Sequence, residues 1–291
     1  EDVAAAVVRD QALSIRLLKL ANSSAYSRGK PTDNLKDAVQ RIGIAQVRSL
    51  VMSLGVVDQY NGDANQHVNP RMFWEHSIAC GLIATSIASK KNLPDLDNYF
   101  LWGLLHDVGR IILLDHAPEP YSTAWEAADA LDLPLEAVEP RLTRLDHRNI
   151  LERALEHWSF PRDFVAPVGN HHNPMSKLKR LGPANADAAA AISVANTLAH
   201  AILVGSSGNN VIYPIDEMLE HLKLTAEEAT EITAGTVLEA QKLKISLLAR
   251  DQGGEWKDFR DLILEKWPDP VAALCFGLGG SDVPLRLLSD R

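Results

Sequence analysis

The stretch Phe100–Asp115 constrains this chain more than any other, because it is an apolar run broken by one adjacent base and acid, His106 and Asp107. An ionised carboxylate beside an imidazole is expensive inside such a run unless the two are paired, hydrogen-bonded or bound to a metal. Two readings follow: a core helix with one satisfied His–Asp pair, or part of a ligand cluster completed by other helices.

The rest of the chain offers the partners. In order they are His76, His106 with Asp107, His147, His171 with His172, and Asn196, on separate helices or helix ends. Imidazole and carboxylate suit a borderline divalent metal such as Zn, Mn, Fe or Ni. Two metals sharing Asp107 could activate water for attack on a phosphoester. Long spacings carry little information alone, and a chain with 10 histidines supplies candidates by chance. For His106–Asp107 the alternative is a structural pair, for His171–His172 helix capping, and for His147 a first-turn position behind Asp146. His116, His157, His200 and His221 read as surface or satisfied residues, although His200 shares a helix face with Asn196.

Helical periodicity dominates. A helix is expected over 3–21, and a second is capped by Thr32 or Asp33 and ends at Gly43. A third runs from Ile44 to about Gln59, and the loop Asn61–Asn65 follows. From Pro70 a long helix carries His76, and Asp97 caps the one that contains His106 and Asp107. Helices are expected after Pro118 to Ala130, from Pro134 to about Leu142, and from His147 behind an Asp146 cap. Pro161 suits the first turn of a helix that runs into Asn170-His-His172, and the Ala-rich stretch 184–204 holds Asn196 and His200. Beyond Gly205, residues 206–210 read as a linker. Thr225-Ala-Glu-Glu228 is a capping box opening a helix to about Leu248. A short helix and a loose tail around Gly277–Gly280 complete an all-α chain.

Composition narrows the function. Ala and Leu are abundant and aromatic residues make up only 6%, which favours helices over sheets. The net charge of −9 repels nucleic acid, and the densest basic patch, Lys177-Leu-Lys-Arg180, reads as a solvated loop. Two cysteines, Cys80 and Cys275, make no disulfide framework and fit a reducing, cytoplasmic setting. No apolar run reaches the roughly 18 residues of a membrane span. The chain begins inside a helical pattern without a methionine, so a segment upstream is expected.

Several segments, in this order, resemble the HDOD family, the HD-related output domains of bacterial signalling proteins. They are Leu17–Ser24, Ala38–Gly43, Phe73–Ser77, Gly103–Arg110, Glu139, Asp146–His147, Trp158–Pro161 and His171–His172. The resemblance covers roughly 3–205. It implies an N-terminal helical subdomain (1–66), an HD-type helical core (67–205) and, outside the resemblance, a C-terminal helical extension (206–291). It places His76, His106, Asp107, His147, His171 and His172 on metal-ligand positions for one or two divalent ions. Asn196 stands where active HD families have a ligating Asp, Arg110 stands where the HD-GYP phosphodiesterases have Lys, and Asn173-Pro-Met-Ser follows His172. These departures favour a regulatory output domain that binds a signalling protein or a small nucleotide. The alternative is a metal-dependent phosphohydrolase acting on a nucleotide or cyclic dinucleotide, with Asp107 bridging metals and Arg110 steadying a phosphate.

Overall fold

The computed structural model describes residues 11–27, 31–47, 49–51, 68–157, 160–209, 211 and 214–247. The described residues form helices and no strands. The expectations at 3–10, 52–65 and 248–291 lie outside them, as does Trp158.

The first helices are α1 (Gln11–Ala21) and α2 (Leu35–Ile42). Helical residues continue at 44–47 and 49–51. The cap of α2 is Asn34, whose side chain accepts from the backbone N–H groups of Lys36 and Asp37. Thr32, one of the expected caps, instead accepts from the Asn34 N–H at 3.2 Å. Gly43 ends the helix at φ 94°.

The core is organised on α3 (Pro70–Lys91), which packs against α4 (Leu96–Leu105), α11 (Pro183–Ala201) and α13 (Ala226–Leu247). Its crossing with α4 is close because glycine faces glycine. A Cβ on Gly103 would lie 2.5 Å from the Gly81 backbone, and one on Gly81 would lie 2.6 Å from the Phe100 carbonyl oxygen. Between α4 and α11 come α5 (Val108–His116), α6 (Pro118–Ala130), α7 (Leu135–Leu142), α8 (His147–His157), α9 (Arg162–Asn170) and the short α10 (Met175–Leu178). Helix α12 (Asp216–Leu222) packs on α11.

The expected single helix through His106 and Asp107 is two helices. α4 stops at Leu105 and α5 starts at Val108, with Asp107 at φ −105°, ψ 4°. Periodicity does not register the joint, because apolar residues continue on both sides. The N-cap of α4 is Asp95, so Asp97 lies in the first turn rather than at the cap.

Other caps match their sequence signals. The Asn149 N–H donates to Asp146 Oδ1 at 2.9 Å. In the Thr225–Glu228 box, the Thr225 N–H reaches Glu228 Oε2 at 2.9 Å and the Glu228 N–H reaches Thr225 Oγ1 at 3.2 Å. Helix α13 lies along α3 and α1: Lys91 pairs with Glu228 at 2.6 Å, Lys244 with Glu75 at 2.8 Å, and the Ser24 N–H donates to Glu239 at 3.1 Å. Tyr26 joins the N-terminal helices to the core through Phe100, with ring centroids 5.8 Å apart.

The glycine crossing yields a stability test. Gly103→Ala overfills the α3–α4 contact and should cost about 1–3 kcal/mol, read as a lower urea midpoint with an unchanged slope.

Candidate metal centre

The joint between α4 and α5 places Asp107 where five elements meet. His76 comes from α3, His147 opens α8, His171 and His172 follow α9, and Asn196 lies on α11. One group of possible ligand atoms joins Asp107, His147, His171 and His172, all within 4.8 Å of one another. A second joins His76, His106 and Asp107 under the same limit, so Asp107 belongs to both. His76, His106, Asp107, His147 and His171 are completely buried.

The outer ring nitrogens are committed away from Asp107. His106 Nδ1 lies 2.7 Å from the Gly103 carbonyl oxygen and His171 Nδ1 lies 2.6 Å from that of Val168. His147 Nδ1 lies 2.7 Å from Glu139 Oε2. In each case Nδ1–H is the donor, which turns Nε2 inward as the available ligand atom. His76 uses the other nitrogen: its Nε2–H donates to Asn196 Oδ1 at 2.9 Å, leaving Nδ1 inward. Asn196 therefore orients His76.

Among the described residues these inward atoms make no hydrogen bonds. His76 Nδ1, the Nε2 atoms of His106, His147 and His171, and both Asp107 oxygens are buried without a hydrogen-bond partner among the described residues. Asp107 Oδ1 lies 3.3 Å from His147 Nε2 and 3.8 Å from His171 Nε2, and Oδ2 lies 3.2 Å from His106 Nε2. Ligands at about 2.1 Å around a tetrahedral ion sit about 3.4 Å apart. Converging ligand atoms, buried and without hydrogen bonds among the described residues, fit a divalent cation.

Charge follows the same arrangement. Burial would raise Asp107, but Arg110 and His106 hold it well below the usual carboxylate range. Burial would lower His106, but the Asp107 carboxylate raises it well above its ordinary value. A cation at His106 Nε2 would take the place of that proton. Burial keeps His76 well below its ordinary value, helped by His200 and His106. It brings His171 down to about 3 and His200 to about 4.

Arg110 closes the cluster from within. It is completely buried, with Nε 3.2 Å from Asp107 Oδ1 and a terminal nitrogen 3.4 Å from Glu136 Oε2. Its other terminal nitrogen donates to the Ser207 carbonyl oxygen at 3.2 Å. Glu136 also accepts from Asn209 Nδ2 at 3.1 Å and lies 3.2 Å from His172 Nδ1. Ser207 is completely buried, so at least this part of the expected linker is a plug over the site. Gly205, at φ 67°, lets the plug run against the α3 backbone, where the Ser206 N–H donates to the Met72 carbonyl oxygen at 2.9 Å.

Glu136, Ser207 and Asn209 carry no sequence signal for this role, since their partners lie far along the chain. His200, read as a surface or satisfied residue, is half-buried and stacks on His76 with ring centroids 4.1 Å apart.

The buried neutral imidazoles set a pH dependence. His171 refuses a proton down to about pH 3, whereas in the unfolded chain it takes one near pH 6.5. The unfolded state therefore binds more protons between those values, and stability falls as pH drops below about 6.5. His171→Gln should flatten the slope of unfolding free energy against pH between 6.5 and 4, by up to about 1.4 kcal/mol per pH unit. Urea melts in chelator across that range measure it.

Comparison with known proteins agrees with this architecture. The HDOD domain profile matches residues 1–174. An uncharacterised protein of Treponema pallidum is 26% identical over 176 residues, which is 59% of this chain and 33% of that protein. The chain thus spans about a third of the length of that relative. An HDOD domain protein of unknown function from Geobacter sulfurreducens superposes with a TM-score of 0.59 at 22% identity, covering 94% of this chain and 84% of that one. A protein from Marinobacter aquaeolei, described provisionally as a signal transduction protein, gives 0.59 at 20% identity, over 88% of this chain and 55% of that one. One from Shewanella amazonensis, described provisionally as a metal-dependent phosphohydrolase, gives 0.52 at 23%, over 84% and 83%. The profile match covers more than half of the chain, and on it the chain belongs to the HDOD domain family.

Proposed function

We propose that this chain is a regulatory output module of signal transduction, which acts by binding a partner or small ligand rather than by turnover. The observation that carries this reading is the position of Arg110. Its guanidinium already neutralises the carboxylate that two catalytic metals would share, and it is held there by Glu136 and Ser207. A phosphate reaching Arg110 would have to displace a completely buried plug residue. Removing one partner of such a buried network is strongly destabilising.

The donor set still supports a metal. His76, His106, Asp107, His147, His171 and His172 would hold a divalent ion, and the ion would supply positive charge that ties five helical elements together. Its chemistry, when bound, is that of a Lewis acid. The chain's own residues orient the ligands: Glu139 holds His147, Asn196 holds His76, and Arg110 holds Asp107.

The converging ligand atoms favour one second reading, a metal-dependent phosphohydrolase. Turnover separates the two. Protein purified without chelator and supplied with Mn, Zn, Fe or Ni should not hydrolyse cyclic di-GMP or bis(p-nitrophenyl) phosphate above the metal blank. Hydrolysis that His106→Ala abolishes in a folded protein would overturn the regulatory reading.

A further inference from the structure

A cavity of about 390 Å³ opens beside the buried cluster, between α11, α12 and the start of α7. Its size suits a small ligand. Its wall carries Glu136, Asp216 and Glu217, and no lysine or arginine is among the described residues lining it. Glu136 is already matched by Arg110. Asp216 and Glu217 are exposed, and the only hydrogen bond to either among the described residues is the Met175 N–H donating to Glu217 Oε2 at 3.3 Å. Neither has a cationic side chain opposite it there, so the mouth keeps negative charge.

A second observation comes from the threonines. Thr85, Thr123, Thr143, Thr230, Thr233 and Thr236 each donate to the carbonyl oxygen four residues earlier. Thr197, on α11, does not. It is 8% exposed, lines the cavity, and its hydroxyl makes no hydrogen bond among the described residues. Ser193, one turn earlier on the same helix, also lines the cavity. With no protein partner among the described residues, that hydroxyl is free to bond a polar group of a ligand in the cavity.

We propose that this cavity binds a small organic cation, a protonated alkylamine, with the ammonium at Asp216 and Glu217 and a polar group on Thr197. The inference rests on the binding reading above and names its ligand class. Negative charge at the mouth attracts an ammonium and repels a phosphate, while Met218, Pro174 and Pro214 give an apolar wall for an alkyl chain. Asn196 lines the cavity and also holds His76 Nε2, so an occupant would sit one hydrogen bond from the buried cluster.

Calorimetric titration of the full chain tests this with 1,4-diaminobutane, Nα-acetyl-lysine methylamide and inorganic phosphate as probes. At least one amine should bind, and binding should weaken about tenfold or more in Glu217→Gln and in Thr197→Val. Tighter binding of the diamine identifies a free amine as the source. Tighter binding of the lysine derivative identifies a side chain of a protein partner. Glu217 is exposed, so its variant keeps the test open if Thr197→Val fails to fold. Binding of phosphate in the cavity, no amine binding to folded wild type, or unchanged affinity in the folded variants would overturn the proposal. No assay of turnover enters, so phosphoester hydrolysis would sink the regulatory reading separately.

Discussion

Asp107 is an ionised carboxylate with no exposed surface, and the arrangement around it makes that possible. Removing such a charge from water costs several kcal/mol unless partners surround it. Here the partners arrive from different parts of the chain: Arg110 one turn on, His106 beside it, His147 from α8 and His171 after α9. The break between α4 and α5 is the local condition for this. A continuous helix would hold residues 106 and 107 in the backbone geometry of their neighbours, whereas the joint gives Asp107 its own φ and ψ.

The same network weighs against catalysis. A shared carboxylate works in a hydrolytic centre when water and substrate can reach the metals it holds. In this chain the guanidinium of Arg110 occupies one side of Asp107, and Ser207 closes behind it. What favours a stable core therefore restricts access. An opening lies beside Asn196 and His172, where the lining is acidic. The ligand proposed there and a metal held inside would be linked through the Asn196–His76 bond.

Much of this is legible from residue types alone. His106–Asp107 stands out because an acid–base pair is costly in an apolar run, and Asp146 and Thr225–Glu228 announce helix starts by local chemistry. The N-cap of α2 is Asn34 rather than Thr32 or Asp33, since several capping residue types stand in a row there. The joint after Leu105 leaves no trace, because neither glycine nor proline stands between Leu105 and Val108. Glu136, Ser207 and Asn209 are hidden for another reason. Their partner Arg110 is 26 residues from Glu136 and 97 from Ser207, and no local pattern encodes a contact made only by packing. By resemblance Asn196 is a weakened ligand, whereas the geometry gives it an orienting bond to His76.

Everything turns on whether the inward ligand atoms hold a cation. Metal analysis of protein purified without chelator, alongside Asp107→Asn, tests this most directly. The expected result is at least one tightly held divalent ion per wild-type chain, and its loss from the folded variant. A wild-type chain that is fully folded, carries no metal and takes up none from Mn, Zn, Fe or Ni solutions would contradict it.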